Sequence, residues 1–199
     1  MQVNAKIGIS FSSGLRSMLR QDPDIIMVGE IRDLETARIG IQASLTGHLV
    51  FSTLHTNDAS GAITRLIDMG IEPYLIASSL RSVLAQRLVR QLCTTCRKER
   101  SATEEEIRLL GAGKEKIKVF DPQGCASCGN TGYMGRIGIY ELITVNKGMK
   151  ALILQQCSSD MIRDAAVKNG TKTLIKNGLA KILNGVTSVE EVLRVTQID

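Results

Sequence analysis

Two short apolar runs dominate the first third of the chain. Ile25 to Val28 stands between Asp22-Pro-Asp24 and Gly29-Glu30, and a run from about Leu49 to Leu54 stops at His55-Thr-Asn57-Asp58. The uninterrupted run Ile25 to Val28 predicts a central strand buried on both faces rather than a helix, and the second run predicts another strand. Between them the pattern predicts a helix to Leu45, with Asp33 as N-cap, Glu35 opposing the helix dipole in the first turn, and Gly47 past the end. A further helix is predicted from near Asp58 to Gly70. Leu75, Ile76, Leu80, Val83, Leu84 and Leu88 recur at helical spacing and predict one helix from about Pro73 to Gln91. Upstream, Ser12 to Gln21 reads as a helix with Leu15, Met18 and Leu19 on one face, ended with the help of Pro23. Such strand–helix alternation predicts an α/β architecture with a largely parallel sheet.

The texture changes at Cys93. From there to about Gly138 the chain is rich in Gly, Cys and charge, with one short helix opened by the capping box Thr103-x-x-Glu106. Ile137 to Ile143 reads as a strand returning to the main body. The remainder is helical, including a second capping box, Thr187-x-x-Glu190. This organisation predicts three parts, residues 1–92, 93–136 and 137–199.

Candidate chemistry gathers where the apolar runs end. Open α/β sheets bind ligands at the C-terminal ends of their strands, which is where Glu30 and His55 stand. An acid after a glycine there can hold hydrated Mg²⁺ or polarise a water beside a nucleotide phosphate; taken alone it can equally cap the next helix. His55 alone is also consistent with a structural hydrogen-bonding role. Together, two neighbouring strand ends can aim both groups into one crevice. Arg16 and Arg32 add guanidinium groups near the same edge, suited to charge developing on a transferred phosphoryl group, or to surface ion pairing. No G-x-x-x-x-G-K-[ST] phosphate loop occurs in these residues, and Gly111-Ala-Gly113-Lys114 falls short of one.

Cys93-x-x-Cys96 and Cys125-x-x-Cys128 form two knuckle-like pairs with 28 residues, 97–124, between them. Two such pairs supply the thiolates of a closed, structural Zn²⁺ site; a redox pair and plain buried thiols are the alternatives. Gly124, Gly129 and Gly132 suit the tight turns of knuckles. Cys157, on an expected helix, reads as a core residue.

Composition narrows the picture further. The chain of 199 residues is 43% hydrophobic, enough for a sizeable core, yet only 3% aromatic with no Trp, which argues against a single-strand nucleic-acid binder. The formal charge of +5 is mild. Its one concentration, Arg81, Arg87, Arg90, Arg97, Lys98 and Arg100, reads as a solvated helix face or a contact for an acidic partner, a phosphate or anionic lipid. The opening residues lack the apolar core of a secretory signal, and the longest uncharged run, Ile39 to Asn57, is too polar to span a membrane. A reducing, cytoplasmic setting is expected.

Several ordered motifs resemble the secretion-traffic ATPases, a family that includes the cytoplasmic E protein of type II secretion and the assembly ATPase of type IV pili. They are Gly14-Leu-Arg16-x-x-Leu-Arg20-x-Asp22-Pro-Asp24-x-x-x-x-Gly29-Glu30-Ile-Arg32-Asp33-x-Glu35-Thr36, Ala43-Ser-Leu-Thr-Gly-His48, Ser52-Thr-Leu-His55-Thr-Asn57, Leu84-Ala-Gln-Arg-Leu-Val-Arg90 and Gly132-Tyr-x-Gly-Arg136-x-Gly-Ile-Tyr-Glu141. The resemblance implies the C-terminal part of a RecA-like P-loop NTPase core, a small Cys₄ zinc subdomain and a helical C-terminal region. By it, Gly29 and Glu30 belong to the Walker B motif, which positions Mg²⁺ and water, and His55 lies in a His box that senses the γ-phosphate of ATP. Arg16 and Arg32 match arginines that reach nucleotide on a neighbouring subunit, and Cys93, Cys96, Cys125 and Cys128 match the zinc subdomain.

The family further implies a hexameric ring, cytoplasmic but peripheral at the inner membrane through platform proteins, with no direct nucleic-acid contact. ATP hydrolysis would drive pseudopilus assembly and protein export. The spacing of the cysteine pairs resembles the secretion branch more than the type IV pilus branch. A zinc-ribbon nucleic-acid module and a purely structural domain are the competing classes. The family's phosphate loop and acidic box have no counterpart in this sequence, so the 199 residues alone are expected to be inactive towards ATP; micromolar ATP affinity of the isolated chain would contradict that.

Overall fold

The computed structural model describes residues 23–113 and 116–196, together with Gly14 and Gln21. The helix expected over Ser12 to Gln21 lies, those two positions apart, outside the described residues. The chain forms two compact units, one made of Met1–Val83 and Ile143–Lys168, the other of Leu84–Leu142 and Asn169–Asp199.

In the first unit β1 (Ile25–Val28) pairs in parallel with β2 (Leu49–Ser52), Ile25 opposite Leu49 and Val28 opposite Ser52. Alternation sends Ile26 and Val28 inward, onto Ile39 and Ala43 of helix α1 (Leu34–Leu45). The other face does not match a strand buried on both sides: Ile25 and Met27 are 62% and 64% exposed. Asp33 caps α1 as expected, accepting from the Thr36 amide at 2.8 Å, and Gly47 past its end has φ 108°. Helices α2 (Ala59–Asp68) and α3 (Pro73–Ser79) follow. Further along the chain, α5 (Lys147–Leu154) packs on α3, and α6 (Ser159–Lys168) packs on α2. Ile63, Ile76, Met149, Ile153 and Ile162 are buried among these helices. An ion pair at 2.6 Å between Arg163 and Asp58, the N-cap of α2, joins α6 to the same corner.

The helix expected to run from Pro73 to Gln91 does not form. It ends at Ser79, Leu80 turns extended, and β3 (Ser82–Leu92) pairs with β6 (Tyr133–Thr144). Along β3 every second residue from Val83 to Val89 is drawn inward while Leu84, Gln86 and Leu88 stay exposed. The same leucines fit both periods, and cross-strand pairing, invisible in local spacing, selects the period of two.

In the second unit β4 (Lys98–Ser101) pairs antiparallel with β5 (Lys118–Asp121), so among the described residues only β1 and β2 are shown to be parallel. Helix α4 (Glu104–Leu109) between them opens with the expected reciprocal box: Thr103 Oγ1 accepts from the Glu106 amide at 3.2 Å, and Glu106 Oε2 accepts from the Thr103 amide at 2.8 Å. Val89, Leu110, Val119 and Ile139 form one core with Leu174 and Ile182 of α7 (Leu174–Leu183) and Val189 and Val192 of α8 (Val189–Thr196). The two helices meet at Gly178, where a Cβ would stand 2.4 Å from Val192 Cγ1.

The second capping box shifts by one residue. Ser188 Oγ, not Thr187, accepts from a first-turn amide, that of Glu191 at 3.3 Å, while Thr187 Oγ1 donates to the Arg90 carbonyl at 2.7 Å. The divisions expected at 92/93 and 136/137 both fall inside this unit.

Candidate functional site

The first site is built by the ends of β1 and β2. Their parallel register finishes at Val28 and Ser52, so Gly29-Glu30 and the segment from Thr53 to His55 leave the sheet side by side. Thr53 carries the pairing one step further: its carbonyl accepts from the Ile31 amide at 3.0 Å and its hydroxyl donates to the Gly29 carbonyl at 2.6 Å. The structure thereby brings three of the expected residues together. Glu30 Oε1 lies 2.5 Å from His55 Nε2, and Glu30 Oε2 accepts from Arg32 Nε at 2.7 Å. Glu30 is mostly enclosed, whereas Arg32 and His55 reach over it from solvent, 77% and 87% exposed. A half-shielded carboxylate flanked by an imidazole and a guanidinium has the groups needed to order a water and answer phosphate charge. Arg16 lies outside the described residues.

Thr53 did not stand out in the sequence. Its polarity inside an apolar run was the available signal.

The loop beyond His55 leads into α2 through Asp58. Burial would raise the pKa of this carboxyl, but bonds from the Gly61 amide at 2.7 Å, from Arg163 and from the Ser60 hydroxyl at 3.1 Å outweigh it and lower it. Asp58 thus anchors the turn after the histidine.

The second site is the cysteine cluster. Cys93 and Cys96 follow the end of β3, while Cys125 caps and Cys128 ends a single 3₁₀ turn over Ala126–Cys128. All four sulfur atoms lie within 4.8 Å of one another. Cys93 to Cys125 and Cys96 to Cys128 are 3.9 Å, and Cys125 to Cys128 is 3.7 Å. A tetrahedron with metal–sulfur bonds of about 2.3 Å has edges of about 3.8 Å, so these residues fit a thiolate-bound ion; disulfide bonding, at about 2.05 Å, is excluded by the same distances. Two turns make the approach possible. Gly124 has φ 90° and a Cβ there would stand 2.7 Å from the Asn130 carbonyl; Gly132 has φ 76° and a Cβ there would collide with Pro122. Burial resists ionisation of Cys128, but amide bonds from Cys125 and Gly132, both 3.2 Å, prevail and bring its pKa down to about 6. Cys157 stands apart, half-buried between α5 and α6 rather than on a helix.

The basic stripe is not a free helix face. Arg90 lies on β3 and pairs with Glu191 at 2.7 Å while stacking over Tyr133 at 4.1 Å. Arg97 lies over Phe120 and donates to the Gly185 carbonyl. Arg100 bonds Glu106 and Asp121, both at 2.6 Å. These three arginines serve the second unit's own packing.

The α/β arrangement, with a polar cluster at the ends of parallel strands, is that of a RecA-like fold. Consistent with this, the chain is similar to the pilus retraction motor PilT solved with bound ADP, at a TM-score of 0.62 and 24% identity over 95% of this chain and 44% of that one. The chain belongs to the type II/IV secretion system protein family, whose model matches residues 1–194. It is 53% identical over all of its 199 residues to type II secretion system protein E of Aeromonas hydrophila, covering 40% of that protein. It is also 49% identical to the type IV pilus assembly ATPase TfpB of Acinetobacter baylyi, over 100% of this chain and 34% of that protein. The chain therefore spans well under half the length of these relatives. Among the described residues, no helix is long and apolar enough to cross a membrane.

Proposed function

We propose that this chain is the C-terminal portion of a hexameric, cytoplasmic ATPase that powers pseudopilus assembly and protein export in type II secretion. One observation carries the reading: Glu30 at the end of β1 shares its two carboxylate oxygens between His55 Nε2 and Arg32. Family membership and 53% identity to a type II secretion E protein support it. Glu30, after Gly29, would hold the hydration shell of Mg²⁺ and orient the attacking water; Mg²⁺ supplies neutralisation of phosphate charge. His55, already on Glu30, can hydrogen-bond a γ-phosphate oxygen as it turns outward. Arg32 and Arg16 would meet nucleotide across a subunit boundary, the ring being completed by copies of the whole protein.

Cys93, Cys96, Cys125 and Cys128 would hold structural Zn²⁺, which the four-sulfur donor set favours over harder ions. Residues 93–136 are then the zinc subdomain, between the core portion before Cys93 and the returning strand and helices from 137. Inner-membrane platform proteins would recruit the ring to the membrane. A role in type IV pilus assembly is the alternative, supported by 49% identity to a pilus ATPase. A nucleic-acid module is disfavoured because Arg90, Arg97 and Arg100 are engaged within the chain. The test is Glu30→Gln in the complete protein: ATP turnover should vanish while nucleotide affinity is spared. Near-normal turnover would remove Glu30 from the active site.

A further inference from the structure

We infer that Thr53 is a positioning residue that fixes the Glu30 carboxylate from the neighbouring strand. The inference rests on the proposed ATPase reading. The ladder between β1 and β2 ends at Val28 and Ser52. Glu30 lies two residues past that end, on a turn where the chain would otherwise be loose. Gly29 adds to the looseness, since nothing lies within 4 Å of where its Cβ would be and glycine has little intrinsic restraint. Thr53 supplies the restraint on both sides of Glu30. Its hydroxyl donates to the carbonyl of residue 29 at 2.6 Å, and its carbonyl accepts from the amide of residue 31 at 3.0 Å.

The peptide planes before and after Glu30 are thus tied to one residue, whose β-branched side chain has few rotamers. The same residue stands two positions before His55, so one strand end sets the placement of both partners in the 2.5 Å contact. Thr53 touches neither nucleotide nor water in this role. It acts through Glu30, and a misplacement of about 1 Å there is costly because efficient proton transfer and water attack need near-attack geometry.

The test compares Thr53→Val, which keeps the shape and removes the hydroxyl, with Thr53→Ser, which keeps the hydroxyl, both in the complete protein beside Glu30→Gln. Thr53→Val should lower kcat for ATP roughly 10- to 100-fold with nucleotide affinity unchanged within about twofold, and Thr53→Ser should restore kcat to within about threefold of the parent. Amide exchange at Ile31 should quicken roughly 3- to 10-fold in Thr53→Val and not in Thr53→Ser, a readout independent of turnover. An inactive Glu30→Gln with an unaffected Thr53→Val overturns the positioning role alone. So does an equal loss in both Thr53 variants, a loss confined to nucleotide affinity, or an unchanged Ile31 amide. Normal turnover in Glu30→Gln overturns the reading of the site itself, and this inference with it.

Discussion

Replacing Glu191 by Gln should loosen the second unit at the junction of β3 and α8. Glu191 has no exposed surface. Its carboxylate accepts from the Arg90 amide at 2.9 Å, the Arg90 guanidinium at 2.7 Å, and Arg194 Nε and Nη2 at 3.0 Å each. Burial works to raise its pKa, but these donors prevail and hold it at about 2, against an ordinary 4.5. The difference corresponds to about 3 kcal/mol favouring the folded, ionised form. Two effects reduce what the variant loses. Arg90 and Arg194 are 45% and 56% exposed, so water screens them and receives them once released. The glutamine carbonyl can also keep the bond from the Arg90 amide. A net cost of about 2 kcal/mol remains.

Native-state amide exchange at pH 7 with zinc present reads that cost locally. Protection at Arg90, Leu92, Val192 and Leu193 should fall roughly 30-fold, while Glu190→Gln, an exposed neighbour, should change it less than about twofold. A change below about threefold in Glu191→Gln would refute the argument, since it would mean that desolvation had already consumed the gain from the four bonds.

Two further outcomes bear on this unit. The chain should bind one zinc ion, and chelation should abolish exchange protection across residues 93–136, because ordering the knuckles and binding the ion are one equilibrium; protection in α2 and α6 of the first unit should persist. Equal protection of 93–136 with and without chelator would contradict this. Glu106 is also held at about 2, chiefly by its bond to Arg100 and against the effect of burial. Its folded value lies below the unfolded one, so its contribution is complete above about pH 4.5 and is lost as the pH falls towards 2. Carboxyl-carbon resonances followed through that window should show Glu106 still ionised at pH 3.5, and a midpoint at or above 4 would contradict the Arg100 pair.

Short-range chemistry was legible residue by residue. Asp33 caps its helix, a further helix starts at Asp58, and Thr103 and Glu106 form their box. In each case the interacting groups are neighbours in sequence or follow a fixed motif, so the spacing carries the geometry. The errors have one cause. The part of the expected helix from Leu80 to Gln91 reads as helical because Leu80, Val83, Leu84 and Leu88 recur at helical spacing, and only β6, more than forty residues away, supplies the backbone partners that make it a strand. Arg90 and Arg100 read as part of a solvated face for the same reason, the acid of Arg90 being Glu191 and those of Arg100 being Glu106 and Asp121. Thr187 looked like the better cap until its hydroxyl was claimed by the Arg90 carbonyl, leaving Ser188 to the helix.

The sequence by itself singled out the candidate residues: an acid and a histidine each placed just past an apolar run, and two thiol pairs at knuckle spacing. Tertiary structure decided how those groups meet. The parallel register of β1 on β2 sets Glu30 beside His55, because two strands running the same way deliver their ends to the same edge. The closeness of four sulfurs from segments about thirty residues apart depends on turns at Gly124 and Gly132 that admit no side chain, and composition alone cannot place those turns against each other.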